Sequence, residues 1–228
     1  MKLKIKDFVK SHIDVLSRIH YYLMNNKVRG KKDNVFIYRC TLFRKLSCSF
    51  HGVDNEVVIG GDSLTTLSNC HIIINGNHNK VIIENGVRAI DLMICIEDDN
   101  NLIYIGKNTW INGKTELAAI EGTEIKIGDN CLLSANITLR TGDSHSVLDA
   151  ITRKRINPSK SIIIGNHVWI GNTVIIFKGS AVGSHSVIGG GSVVTGKTFK
   201  EHTAIGGNPA RVLRESIDWD YQRLIIQE

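Results

Sequence analysis

The 228-residue sequence predicts an all-β solenoid, a parallel β-helix with an amphipathic helix at its N-terminal end and a short helix at its C-terminal end. Three observations predict it. Ile164, Ile170, Ile176, Val182, Ile188 and Val194 recur at an unbroken spacing of six. Val168, Val174, Ser180, Ser186, Ser192 and Thr198 follow them, each by four residues. Upstream, Ile37, Ile59, Ile83, Ile105 and Ile127 stand 22, 24, 22 and 22 residues apart. The periods of strands and helices do not generate six. A triangular coil does: each side is one six-residue unit with an aliphatic pointing inward, a small residue filling the corner, and glycine such as Gly165 or Gly183 at the turn. Three sides make a coil of about eighteen residues, and stacked coils bury one continuous aliphatic column.

In chain order, Ile5, Phe8, Val9, Ile13, Leu16, Ile19 and Leu23 form a helical stripe with lysines and Arg18 elsewhere. This stripe either caps the open end of the solenoid, the favoured reading, or lies on a membrane surface. From Val28 a looser repeat places Asn34, Asn55, Asn79 and Asn101 ahead of the isoleucines, where asparagine suits a left-handed turn. A coil of eighteen with a few extra corner residues accounts for the 22-residue spacing. Leu133 and Leu139 continue the sixfold series from Ile127, and the series resumes only at Ile164. An insertion therefore occupies about 140–160, carrying Thr141-Gly142-Asp143-Ser144-His145-Ser146 and a basic segment Arg153-Lys154-Arg155. A polar loop on a rigid scaffold is where a site is carried. After Gly206-Gly207-Asn208-Pro209, residues 210–227 are expected to form a helix with Val212, Leu213, Ile217, Leu224 and Ile225 on one face, packed along the outside of the coils. The boundaries read 1–26 for the helical cap, 27–207 for the solenoid and 208–228 for the turn and helix.

No apolar run reaches the ~18 residues of a membrane span, and charged residues interrupt the N-terminal apolar positions, against a signal peptide. Five cysteines without CxxC spacing indicate neither a disulfide framework nor a zinc ribbon, so the chain reads as reduced and cytoplasmic. Net charge is +6 and unevenly placed: residues 1–45 hold 12 Lys and Arg against 3 Asp and Glu, a net of +9. Either this is a solvated surface or it meets an anionic partner, and no nucleic-acid motif is present.

The run from Ile164 to Thr195 followed by Gly-Gly-Asn-Pro-Ala-Arg (206–211) resembles the hexapeptide-repeat, left-handed β-helix acyltransferases, most of all the galactoside and capsule or sialic acid O-acetyltransferases. The resemblance covers residues 100–212 well. It implies a homotrimer that uses acetyl-CoA as co-substrate and requires no metal, with a glycan hydroxyl as acceptor. Acetyl transfer needs a base of near-neutral pKa, and histidine supplies one. Nine histidines are present, and His145 stands in the insertion. It also matches the family's catalytic histidine, which precedes a tryptophan by the interval that separates His145 from Trp169. Trp169 ends its hexapeptide and so faces outward. Either it belongs to the trimer interface or, as the resemblance implies, it walls the acceptor or acetyl-CoA beside His145. Asp143 orients the imidazole, binds acceptor hydroxyls or is an ordinary turn residue. Asn130 and Asn136, one coil below, are weaker acceptor-site candidates, and Lys178, Lys197 and Arg211 are candidates for the coenzyme phosphates. No Cys or Ser is set beside a base as a nucleophile, so direct transfer is expected.

Two readings compete with this one. An acetyltransferase acting on a sugar-nucleotide amine or a small xenobiotic changes only the acceptor. A metal-dependent hydratase would build on His167 and His185, which are eighteen residues apart and stack on one face. That reading lacks a third ligand in register, because His202 is seventeen residues further on and beyond the regular repeat.

Overall fold

The computed structural model describes residues 15–225. They form a triangular parallel solenoid whose first face is an eight-stranded sheet; the second and third faces share a fifteen-stranded sheet because the strand Glu56–Ser68 runs around a corner. Face 1 stacks Ile94, Leu117, Leu139, Ile176 and Val194 in register. On face 2 the column runs Ile59, Ile83, Ile105, Ile127, Ile164, Val182 and Phe199. Face 3 stacks Leu67, Ala89, Ile111, Leu133, Ile170, Ile188 and Ile205. These three columns meet in one buried core, so the sixfold series is the inward side of the wall. Val168, Val174, Ser180, Ser186 and Ser192 are buried at the corners, as expected. Thr198 is exposed, because the last coil is one residue shorter and Phe199 takes the inward place.

The first coil differs from expectation. Ile37 pairs with Val58 and is 53% exposed, while Tyr38 takes the place opposite Ile59. Aromatic rings close this end: Tyr21 stacks on Tyr38 at 5.3 Å, and the Tyr38 ring stands edge-on to Phe43 at 5.1 Å. Tyr21 belongs to the helix at residues 15–23. This helix turns Ser17 and Tyr21 to the coil, whereas the predicted stripe positions Leu16, Ile19 and Leu23 face outward. The rest of that stripe lies outside the described residues. A broad ring that stacks on Tyr38 and stands edge-on to Phe43 covers the column better than an aliphatic of the same helix.

The coil that spans Ile59 to Leu67 in eight residues adds two at the corner from face 2 to face 3, but most of the extra residues of the longer coils lie at the corner from face 1 to face 2. Ile176 to Val182 takes six residues there, Leu117 to Ile127 takes ten, and Leu139 to Ile164 takes twenty-five. Asn55, Asn79 and Asn101 are buried along this corner and form a ladder: Asn79 N donates to Asn55 Oδ1 at 2.9 Å, Asn101 N to Asn79 Oδ1 at 2.8 Å, and Thr123 N to Asn101 Oδ1 at 3.0 Å. The left-handed backbone expected at the asparagines falls one residue earlier, at Asp54, His78 and Asn100 with φ of 56°, 55° and 62°. The asparagine side chains are spent on buried amides that would otherwise lack partners. The ladder ends where Thr123 Oγ1 donates to Thr141 Oγ1 at 2.6 Å, and Thr141 opens the insertion.

The C-terminal helix is not formed. Ala210–Glu215 is a strand, antiparallel to Thr203–Gly207, and residues 216–225 follow as an extended strap. Thr203–Gly207 is the last full strand of face 3, and its open edge offers unpaired amides and carbonyls. The Gly206-Gly207-Asn208-Pro209 turn brings the chain straight back onto that edge. The strap does pack outside the coils, as expected of the helix.

Candidate active site

The insertion is an ordered hairpin on a closed stem. Lys160 N donates to Thr141 O at 2.9 Å, while Ile156 N and Asp149 N donate to Val147 O and Lys154 O, both at 2.8 Å. At Gly142 a Cβ would lie 2.3 Å from Ile120 Cδ1 and 2.4 Å from Ser159 Oγ, so glycine lets the stem seat on the wall. The key to its interior is Asn157, a residue the sequence analysis passed over. Its Nδ2 donates to Asp143 Oδ2 at 2.7 Å and to the His145 carbonyl at 2.8 Å, and its Oδ1 accepts the Val147 amide at 2.7 Å. One buried amide thus holds both sides of His145 in place. The only signal in the sequence was the position of Asn157 before Pro158, which does not distinguish it from an ordinary turn residue.

The His145 ring is exposed, and among the described residues it has no hydrogen-bond partner. Asp143 is not turned to that ring. Its Oδ2 accepts Lys178 Nζ at 2.5 Å, and the ammonium holds the carboxyl below its usual range. Lys178 also donates to the Asn157 carbonyl at 3.1 Å. On the other side of the stem, Arg155 donates to Glu121 Oε1 at 2.6 Å, and that bond lowers the Glu121 carboxyl to about 2. The loop is therefore tied to the coil below through Glu121 and to the coil above through Lys178.

At the foot of the loop is a cavity of about 730 Å³ lined by Asp143, Asn157, Lys160, Lys178, Gly179 and Gly196, among others. It follows the corner from face 1 to face 2 along the C-terminal coils. Lys178 lines it, and Lys197 adjoins it through Gly196. Arg211 is on the added strand of face 3 and does not converge with them.

Trp169 is also on face 3, 39% exposed, with Nε1 donating to Ser134 Oγ at 3.3 Å. In a triangle the corner between two sides points away from the third. His145 and Trp169 therefore do not share a site within one chain. Asn130 and Asn136 hold two other corners, with φ of 55° and 57°. The Asn130 carbonyl accepts Tyr221 OH at 2.9 Å, and neither asparagine approaches the loop. Burial pushes the Cys48 and Cys131 thiols up to about 12 and Cys70 to about 11, so these are protonated core side chains.

No family model matches the chain. It is 32% identical over 191 residues to the polysialic acid O-acetyltransferase of Neisseria meningitidis, covering 84% of this chain and 87% of that protein. To the galactoside O-acetyltransferase of Escherichia coli (strain K12) it is 39% identical over 118 residues, 52% of this chain and 56% of that one. Among solved structures, the polySia-specific acetyltransferase NeuO matches with a TM-score of 0.79 at 31% identity, over 86% of this chain and 88% of that chain.

Proposed function

The chain belongs to the hexapeptide-repeat O-acetyltransferases, and from that premise we propose that it transfers the acetyl group of acetyl-CoA to a hydroxyl of a surface polysaccharide or its sugar precursor, with His145 as the general base. The observation that carries the reading is the His145 loop, a hairpin whose imidazole is exposed and unengaged while its Asp143 and Asn157 line a cavity. In the reaction the imidazole takes the acceptor hydroxyl proton as that oxygen bonds to the thioester carbonyl carbon. The tetrahedral oxyanion collapses, the carbon–sulfur bond breaks, and the imidazolium returns the proton to the departing thiolate. The pantetheine arm would lie in the cavity along the corner, where Gly179 and Gly196 leave the backbone uncovered and Lys178 and Lys197 supply positive charge.

A homotrimer supports this chemistry. The hairpin leaves Val147, Ile151 and Ile156 exposed at 51, 92 and 59%, an apolar surface that a neighbouring copy would cover. That copy would bring its Trp169 to the loop, which one chain cannot do. Polysialic acid, the substrate named for one relative, is a polyanion, which suits the basic N-terminal end. The test is a screen of polysialic acid, neutral galactosides and sugar-nucleotide amines with radiolabelled acetyl-CoA. Label transferred to a hydroxyl supports the reading, and transfer only to amines overturns it.

A further inference from the structure

The corner from face 2 to face 3 needs a left-handed residue in each coil. Gly86, Asn108 and Asn130 fill it in three coils, with φ of 76°, 56° and 55°. In the last three coils the same place holds His167, His185 and His202, with φ of 53°, 58° and 57°. The shorter final coil keeps His202 in register, contrary to the sequence expectation: its ring stacks on His185 at 4.8 Å with 15° between planes. A left-handed backbone is uncommon for any residue but glycine, and histidine is one of the few side chains enriched there. Three histidines in succession at such a place point to a use for the side chains.

The C-terminal strap supplies what they face. His202 Nδ1 bonds to Ile217 O at 3.0 Å, and Ile217 N donates to His202 O at 3.0 Å. Two residues on, the Trp219 indole stacks on the His167 ring at 4.2 Å, and its Nε1 donates to His167 O at 2.7 Å. Asp218 is clamped between these two attachments. Its Oδ1 lies 3.4 Å from His185 Nδ1 and 3.5 Å from His167 Nε2, and it also accepts Trp219 N at 2.8 Å. The Trp219 carbonyl stands 2.9 Å from His167 Nε2. Ligand bonds of about 2.0–2.2 Å in a tetrahedron put neighbouring donor atoms about 3.3–3.6 Å apart. Both carboxylate–imidazole edges have about that length, and the two imidazole nitrogens form the wide edge, within 4.8 Å, which an ion between them would draw in.

We propose that His167 Nε2, His185 Nδ1 and Asp218 form a site for a divalent cation of the zinc class, which fastens the C-terminal strap to the solenoid corner. Imidazole with carboxylate suits zinc, nickel or copper, and solvent or the Trp219 carbonyl completes the shell. The ion holds structure: Trp219, fixed over His167, has its ring centroid 6.1 Å from that of Trp169, so the strap borders the face that carries Trp169. This site does not depend on the acetyl-transfer reading.

The experiment uses full-length, untagged, chelator-treated protein titrated with Zn²⁺ alone by calorimetry, with Co²⁺ absorption as a second readout. The expected result is one ion per chain with a Kd below about 100 μM, a melting temperature that rises with Zn²⁺, and slower proteolysis of the strap. Asp218→Asn and His185→Ala should each weaken binding at least about tenfold, while His51→Ala at a remote surface position leaves it unchanged. Circular dichroism of each variant checks that the solenoid is intact. No saturable binding, or binding equal in the Asp218 and His185 variants, overturns the site and leaves an ordinary imidazole–carboxylate contact.

Discussion

His145 presents a ring with no partner among the described residues, while its own carbonyl is pinned by Asn157. Free ring and fixed backbone together suit a base that must meet a proton in one place. His145→Ala should therefore lower kcat by about 10²–10⁴-fold, the usual share of a general base, and leave acetyl-CoA affinity nearly unchanged. A steady-state comparison decides it, and a variant retaining more than about half its activity, under ~0.4 kcal/mol of transition-state stabilisation, removes His145 from the role. Asn157 acts through His145 and is a positioning residue. Asn157→Ala leaves the part-buried Val147 amide and His145 carbonyl without their partner, each at the low end of the about 1–3 kcal/mol that a fully buried group would cost. A shift of the imidazole by ~1 Å can cost about 10²-fold. The drop should appear in kcat with the acetyl-CoA KM preserved, whereas a merely structural defect would lower the amount of active enzyme at unchanged pH profile.

At the scale of elements, the hairpin hangs from the wall by two ion pairs, Glu121–Arg155 and Asp143–Lys178. Hydrogen bonding to Arg155 lowers Glu121 from 4.5 to about 2, and Lys178 lowers Asp143 in the same direction. A depressed carboxyl contributes stability that is fully present above its unfolded pKa and lost as pH falls through the folded one. Loop order should therefore hold down to about pH 4.5 and be lost progressively towards pH 2. Both pairs are partly exposed, so the effect on the whole fold is small and salt-screened. Hydrogen exchange of the Val147 and Ile156 amides across that range checks it, and Glu121→Gln should flatten the profile; protection that stays constant to pH 2 would show the pairs to be incidental.

For the whole molecule, a site shared by two copies makes a strong demand. If a neighbour's Trp169 meets the His145 loop, His145→Ala and Trp169→Ala chains, each impaired alone, should regain part of the activity when co-expressed in mixed trimers. Light scattering of the purified protein should give three chains, and a monomer at micromolar concentration counts against the arrangement. The basic end is the second whole-molecule feature. Residues 1–45 carry +9, so an anionic acceptor's KM should rise with salt as the screening length shortens to about 8 Å near physiological ionic strength. Neutralising Lys27, Arg29, Lys31 and Lys32 should flatten that dependence without changing the acetyl-CoA KM. An acceptor used equally at low and high salt marks the charge as a solvated surface.

The sequence by itself determined the solenoid, because inward residues at a strict spacing of six leave one way to close a coil, and it located the insertion where that series breaks off after Leu139. Its place in that insertion and the resemblance to the family's catalytic histidine together singled out His145. The tertiary structure alone decided which residues share a site. Asp143 turns to Lys178, and Asn130 and Asn136 occupy other corners, because coil stacking joins residues 18 to 37 positions apart that carry no common local pattern, while Asn157 reaches back to His145 across the hairpin with no periodicity to mark it. The same cause explains the misread ends. Amphipathic spacing allowed a helix at 210–227, but the open strand edge of face 3 offered backbone hydrogen bonds to whichever segment returned first, and Ala210–Glu215 took them.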